Sequence, residues 1–160
     1  MMFCSTTLAV MSLFGLAETP PMTGLPAHIG KYPFEQVECL SFFDEPLVSK
    51  AITASAGDDA LGFVESLDAS TPVVEKEDAL IAVACEDGNC DKENAALAIT
   101  AFGKLVALCL YSAEGSHGAE PGITRWITEK QEHRLAAGGA NSGCPHDSDQ
   151  FIEAYANARL

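Results

Sequence analysis

The chain has 160 residues, 48% of them apolar, which is enough for one domain with its own core and argues against wholesale disorder. It carries 23 acidic against 9 basic side chains, a formal net charge of −14. Such a surface repels nucleic acid and anionic lipid and speeds encounter with a cationic partner, although solubility alone would also account for the excess.

Residues 1–17 read as an export signal. Leu8–Leu16 is an apolar run of the right length, and Gly15-Leu16-Ala17 puts small residues where a signal peptidase cuts. A polar, proline-containing stretch begins at Glu18, while the basic residues that usually precede such a run are missing. No run approaches the ~18 apolar residues that a membrane span needs. Residues 18–31, with Pro20, Pro21, Pro26 and two glycines, read as a flexible lead-in. Residues 32–160 read as a single domain.

Tyr32–Phe43 has a mixed pattern that assigns no element. Asp44-Glu45-Pro46 is a helix start, a capping acid followed by a proline tolerated in the first turn, and Leu47, Val48, Ala51 and Ile52 then recur at helical spacing. Gly57-Asp58-Asp59 restarts the chain into a second short helix with Leu61, Val64 and Leu67 on one face. After Thr71-Pro72 the texture becomes that of strands: a short one at Val73-Val74, then Ala79–Ala84, Ala95–Ala101 and Leu105–Tyr111. Short connections between them imply an antiparallel meander, and apolar residues on both faces require cover on each side. Ala113–Gly122 is a glycine-containing loop. Ile123, Trp126, Ile127 and Lys130 follow at helical spacing, with Gly138-Gly139 as the stop. Ala137–Asp147 is a further loop, and Ser148 caps a last helix with Phe151, Ile152 and Tyr155 on one face. The expected fold is α+β, a central antiparallel meander with helices packed against it.

Cysteines carry the chemistry. Without residues 1–17 five remain, Cys39, Cys85, Cys90, Cys109 and Cys144, and in an exported chain they are read first as disulfides. Five is odd, and Cys109, inside an apolar strand, is the expected free thiol. Cys85 and Cys90 enclose Glu86, Asp87, Gly88 and Asn89 at the tip of a hairpin. A zinc site could pair them with Cys144 and His146, but an exported cysteine pair is normally oxidised and the loop is acidic. A redox pair normally shows the tighter Cys-x-x-Cys spacing at a helix start, and the acids beside Cys85 disfavour a thiolate. A disulfide staple remains. Closing so small a ring removes little chain entropy, so its effect is local. It either finishes a hairpin or fixes four residues for recognition, which lowers the ordering cost of binding.

The order strand, Cys-x4-Cys loop, strand, turn, strand, then "ITRWI" resembles the inhibitor of vertebrate lysozyme (Ivy) family. "ACEDGNCDKENAALAI" and "FFDEPLVSKAI" carry the likeness, over about Phe42–Trp126. The resemblance implies a central antiparallel sheet, bacterial export to the periplasm, and a loop pushed into the active-site cleft of c-type lysozymes. In the family that loop reads CKPHDC. Here Glu86 and Asp87 stand at the lysine and proline positions, and Gly88 and Asn89 at the histidine and aspartate positions.

Catalytic motifs are absent from the sequence: there is no G-x-S-x-G, phosphate loop, dinucleotide fingerprint or H-E-x-x-H. His28, His117, His133 and His146 are the candidate bases, and none stands in a recognisable dyad. The reading is a non-enzymatic, periplasmic protein-binding module without metal or cofactor. Its binding loop is Cys85, Glu86, Asp87, Gly88, Asn89 and Cys90, and Cys85–Cys90 is its disulfide. Its partner is a basic protein, a lysozyme or another cell-wall hydrolase, with no nucleic acid and no membrane. The alternatives are an immunity protein neutralising a toxin and a small zinc- or thiol-dependent hydrolase using Cys144 and His146.

Overall fold

A computed structural model describes residues 23–136 and 143–157. The apolar run read as an export signal and the Gly138-Gly139 stop lie outside the described residues. The chain runs through a 3₁₀ turn (Leu25–His28), α1 (Pro46–Ala56), α2 (Asp58–Glu65), β1 (Ala69–Ser70), β2 (Val74–Lys76) and β3 (Ala79–Cys85). Then come β4 (Glu93–Thr100), β5 (Leu105–Ser112), β6 (Ile123–Ile127), β7 (Glu132–Ala136) and α3 (Ser148–Asn157).

The strands form one antiparallel sheet in the order β1-β3-β4-β5-β6-β7. β2 pairs with the opening of β3 and β1 with its close, so one edge is built from two short pieces. Alternation along the long strands splits their apolar side chains between two cores. Leu80, Ala82, Leu97, Ile99, Leu108 and Leu110 face α1 and α2, where Val48, Ile52, Phe63 and Val64 are buried. Ile81, Val83, Ala96, Ala107, Cys109 and Trp126 face α3, which contributes Phe151. A register shift at Ala98/Ile99 sets Ile99 opposite Leu105. This bulge lets Leu105 share the helical core with Leu108 despite their odd spacing. The expected α+β class, with both faces of a meander covered, is the fold observed.

Four details differ from the sequence reading. Ile123–Ile127 is a strand paired with β7, not a helix. Trp126 and Ile127 feed the two opposite cores, so apolar residues on both faces of a strand imitate helical spacing, and the β-branched run Ile-Thr-x-x-Ile-Thr decides the outcome. Glu45 occupies the N-cap of α1 but makes no capping bond. Its carboxylate instead reaches Nε2 of the buried His28 at 3.0 Å. The described part of the stretch read as a flexible lead-in is packed, with Leu25 and His28 buried. At α3 the capping side chain is Asp147, whose Oδ1 accepts from the Gln150 N–H at 2.8 Å, one residue before Ser148.

The exposed β7 edge is covered by charge. The Arg125 guanidinium donates to Glu132 through Nε at 2.9 Å and Nη2 at 3.2 Å. These bonds, against partial burial and together with Arg134, hold the Glu132 carboxyl below the usual carboxylate range. Such a charged rim discourages pairing with another chain.

Between β2 and β3, Lys76 faces Ala79, and Glu77 and Asp78 form a two-residue turn with φ of 51° and 62°. Both residues sit in the left-handed region that Asn-Gly adopts most cheaply in such hairpins. Glu77→Asn/Asp78→Gly is therefore expected to stabilise the protein by about 1 kcal/mol, read as a higher urea midpoint with an unchanged slope.

Candidate functional site

The Cys-x4-Cys segment crowns the β3–β4 hairpin. Cys85 closes β3 directly opposite Asn94, and the Cys85–Cys90 disulfide spans Cα atoms 4.8 Å apart. Inside the ring the Asn89 N–H donates to the Glu86 carbonyl at 2.9 Å, closing a β-turn with Gly88 in its third position at φ 74°. The Lys92 and Glu93 N–H groups then both donate to the Asn89 carbonyl, at 2.8 and 3.0 Å. Glu86, Asp87 and Gly88 are exposed, and Asn89 and the two cysteines are half-buried.

The departure from the family's loop has a backbone counterpart here. Gly88 stands where the family has histidine, in a left-handed conformation in which a side chain is strained although nothing lies within 4 Å of its Cβ position. The tip therefore presents the Glu86 and Asp87 carboxylates.

Outside the ring, Asp68 holds the tip from the sheet edge. Its Oδ1 accepts from the Asp87 N–H at 2.7 Å, and its own N–H donates to the Cys85 carbonyl at 3.1 Å. On the other side, the Glu93 carboxylate accepts from the Ser112 hydroxyl at 2.7 Å and the Ser116 hydroxyl at 2.9 Å. The Ser112 oxygen in turn accepts from the Gly115 and Ser116 N–H groups, which ties the 113–122 loop to β4. A cleft of about 400 Å³ lies between these parts, lined by Ser66, Glu86, Glu93, Glu114, Ser116 and His117 among others. Asp68, Glu86, Asp87, Asp91, Glu93 and Glu114 thus gather at one end of the sheet, with Lys92 as the basic residue of the loop. The charge of this end is strongly negative, which favours a cationic partner.

Cys144, the cysteine given to a zinc- or thiol-dependent alternative, and Cys109, the expected free thiol, are paired with each other. Cys109 is not free: it is bonded to Cys144, with Cα atoms 5.7 Å apart. Both sulfurs are buried between the sheet and α3, so Cys144 offers neither a thiolate ligand nor a nucleophile beside His146. The burial of Cys109 was legible in the apolar strand, but its partner lay beyond a loop whose path the sequence does not give. No cluster of three or more His, Cys, Asp or Glu able to hold a metal occurs among the described residues. No helix among them is long and apolar enough to cross a membrane.

Sequence reasoning missed Asp68, Glu93, Asn94 and Ser112 as supports of the tip. An asparagine opening the apolar run "AALAIT" is a weak signal of a buried amide with a task, and Asp68 and Ser112 carry none.

A family model described as inhibitor of vertebrate lysozyme (Ivy) matches residues 48–136, more than half of the chain and the whole of the stapled hairpin. No curated protein and no solved structure matches the chain.

Proposed function

The chain belongs to the inhibitor of vertebrate lysozyme (Ivy) family, and from that premise we propose that it is a protein-binding inhibitor of a c-type lysozyme or a related cell-wall hydrolase. In this reading residues 1–17 direct export and are removed, residues 18–31 lead in, and the domain that follows works in the periplasm without catalysis, metal or cofactor. Its working part is the Cys85–Cys90 ring with Glu86, Asp87, Gly88 and Asn89.

The observation that carries the proposal is the tip itself: exposed carboxylates on a turn closed by a disulfide and seated on a rigid sheet. A fixed tip pays little ordering entropy on binding. Its negative field steers a basic enzyme toward it, and the acidic cleft beside Glu86 extends that field. Carboxylates placed next to a hydrolase's own acids repel them unless one of the group is protonated. The tip therefore engages the rim or the basic flank of a catalytic groove more readily than its acids. Gly88 and Asn89 in place of the family's histidine and aspartate support a second reading with the same surface, an immunity-type protein for a basic toxin.

Lysis of cell-wall substrate by a c-type lysozyme, at ~0.15 M salt to screen weak charge attraction, tests the proposal. Residues 18–160 are expected to slow lysis, and Glu86→Ala/Asp87→Ala to remove most of that inhibition. No inhibition at large molar excess rejects c-type lysozyme as the target.

A further inference from the structure

Asn94 occupies an unusual position. It stands across the ladder from Cys85, its side chain is buried, and that side chain reaches the backbone of one cysteine in each of the Cys85–Cys90 and Cys109–Cys144 bonds. Its Oδ1 accepts from the Cys144 N–H at 2.9 Å. Its Nδ2 donates to the Cys90 carbonyl at 2.7 Å and to the Cys144 carbonyl at 3.3 Å. The orientation of the amide is dictated by its partners, because only the oxygen can receive the Cys144 N–H and only the nitrogen can serve two carbonyls. One amide thus links Cys90, the closing cysteine of the ring, to Cys144, which lies fifty residues beyond Asn94 itself.

The far partner is itself held firmly. Cys144 is covalently bound to Cys109, which lies opposite Ala96 on β5. The Gly143 N–H donates to Oγ1 of the buried Thr124 on β6 at 3.1 Å. Gly143 has φ +101°, and a Cβ there would meet Nδ2 of Asn94 and Cδ1 of Tyr111, both at 3.5 Å. Glycine allows the conformation by which the segment closes on Asn94. The segment is therefore secured by three successive strands, β4, β5 and β6. The ring, by contrast, is exposed at its tip and carries no covalent tie to the domain beyond its own chain ends.

We infer that Asn94 is a positioning residue for the Cys85–Cys90 ring, the buried amide through which the Cys109–Cys144 disulfide fixes the ring's geometry. Calling the ring a recognition loop rests on the function proposed above, but the coupling does not. Without the amide, the Cys90 carbonyl loses its buried donor, and the ring is left to its turn bonds and the Asp68 contact with Asp87 at its other end. Without the Cys109–Cys144 bond, the amide loses the anchored partner that holds its plane.

Hydrogen exchange on the full chain without any partner tests this. The reporters are the Asn89, Lys92 and Glu93 amides of the loop, set against the Leu97 and Leu108 amides of the sheet. Asn94→Ala is expected to speed loop exchange by about tenfold or more beyond any change in the sheet. Cys109→Ala/Cys144→Ala is expected to do the same, and the combined variant to be no faster in the loop than the faster of the two. Loop amides that change only in step with the sheet, or effects that multiply in the combined variant, overturn the inference. Asn94→Asp in the disulfide-intact chain decides the matter if the cysteine variant does not fold. Read at a pH where the new carboxylate is charged, it keeps an acceptor for Cys144 and loses the donor to Cys90, so the loop is expected to exchange faster while the Cys144 amide stays protected. A loop as protected as in the parent overturns the proposal. Because no lysozyme is present, a failed inhibition assay and a failed coupling test remain distinguishable.

Discussion

Cys109→Ala/Cys144→Ala is expected to lower the free energy of unfolding by about 4 kcal/mol, against about 2 kcal/mol for Cys85→Ala/Cys90→Ala. The chain-entropy argument gives this order, since the first bond closes a separation of 35 residues and the second a separation of 5. Packing adds to the first. Cys109 and Cys144 are buried with Trp126 and Phe151 between the sheet and α3, and two alanines leave space there. A domain of this size has roughly 5–15 kcal/mol in hand, so the loss is a large fraction of the whole. Urea unfolding followed by the fluorescence of Trp126, the single tryptophan, reports it directly, because that side chain lies opposite Cys109 in the ladder. Equal midpoints for the two variants would mean that the buried bond adds little to what the sheet already secures.

How much of this was legible in the sequence depends on the range of the determinant. Local signals held: Pro46 opened α1, Ala79–Cys85 and Leu105–Ser112 formed strands, and the cysteines flanking Glu86–Asn89 lie at a hairpin tip. Signals that depend on which face is buried failed once. Trp126 and Ile127 are adjacent and both buried because the sheet is covered on both sides, and that pattern reads as a helix from one strand alone. Long-range partnerships were invisible. Nothing near Cys109 names Cys144, nothing near Glu45 names His28, and nothing near Asn94 announces that its amide bridges two loops. The acids of the site were visible singly. Their gathering at one end follows from topology, because the β3–β4 connection, the β5–β6 connection and the approach to β1 all open on the same side of the sheet.

Opening the ring separates shape from charge. Cys85→Ala/Cys90→Ala keeps Glu86 and Asp87 and most of the fold, and on the function proposed above it is expected to weaken inhibition of the hydrolase by roughly 30- to 100-fold. Four residues regain freedom when the bond is removed, at about 1 kcal/mol of backbone entropy each, the low end of the usual range. The Asn89 N–H to Glu86 carbonyl bond, the Asp68 contact with Asp87 and the Asn94 contact with Cys90 retain part of the order. The remainder, about 2–3 kcal/mol, must be supplied on binding and appears as lost affinity. Because the charges are unchanged, electrostatic steering is preserved, and the loss is expected in the dissociation rate rather than the association rate. Glu86→Lys/Asp87→Lys should show the complementary pattern, slow association at low salt that recovers as salt is raised. The two variants measured by surface-captured kinetics therefore separate a rigid tip from an acidic one. If the opened ring inhibits as well as the parent, the staple merely finishes a hairpin, and recognition belongs to the acidic cleft between Glu86, Glu93 and Glu114.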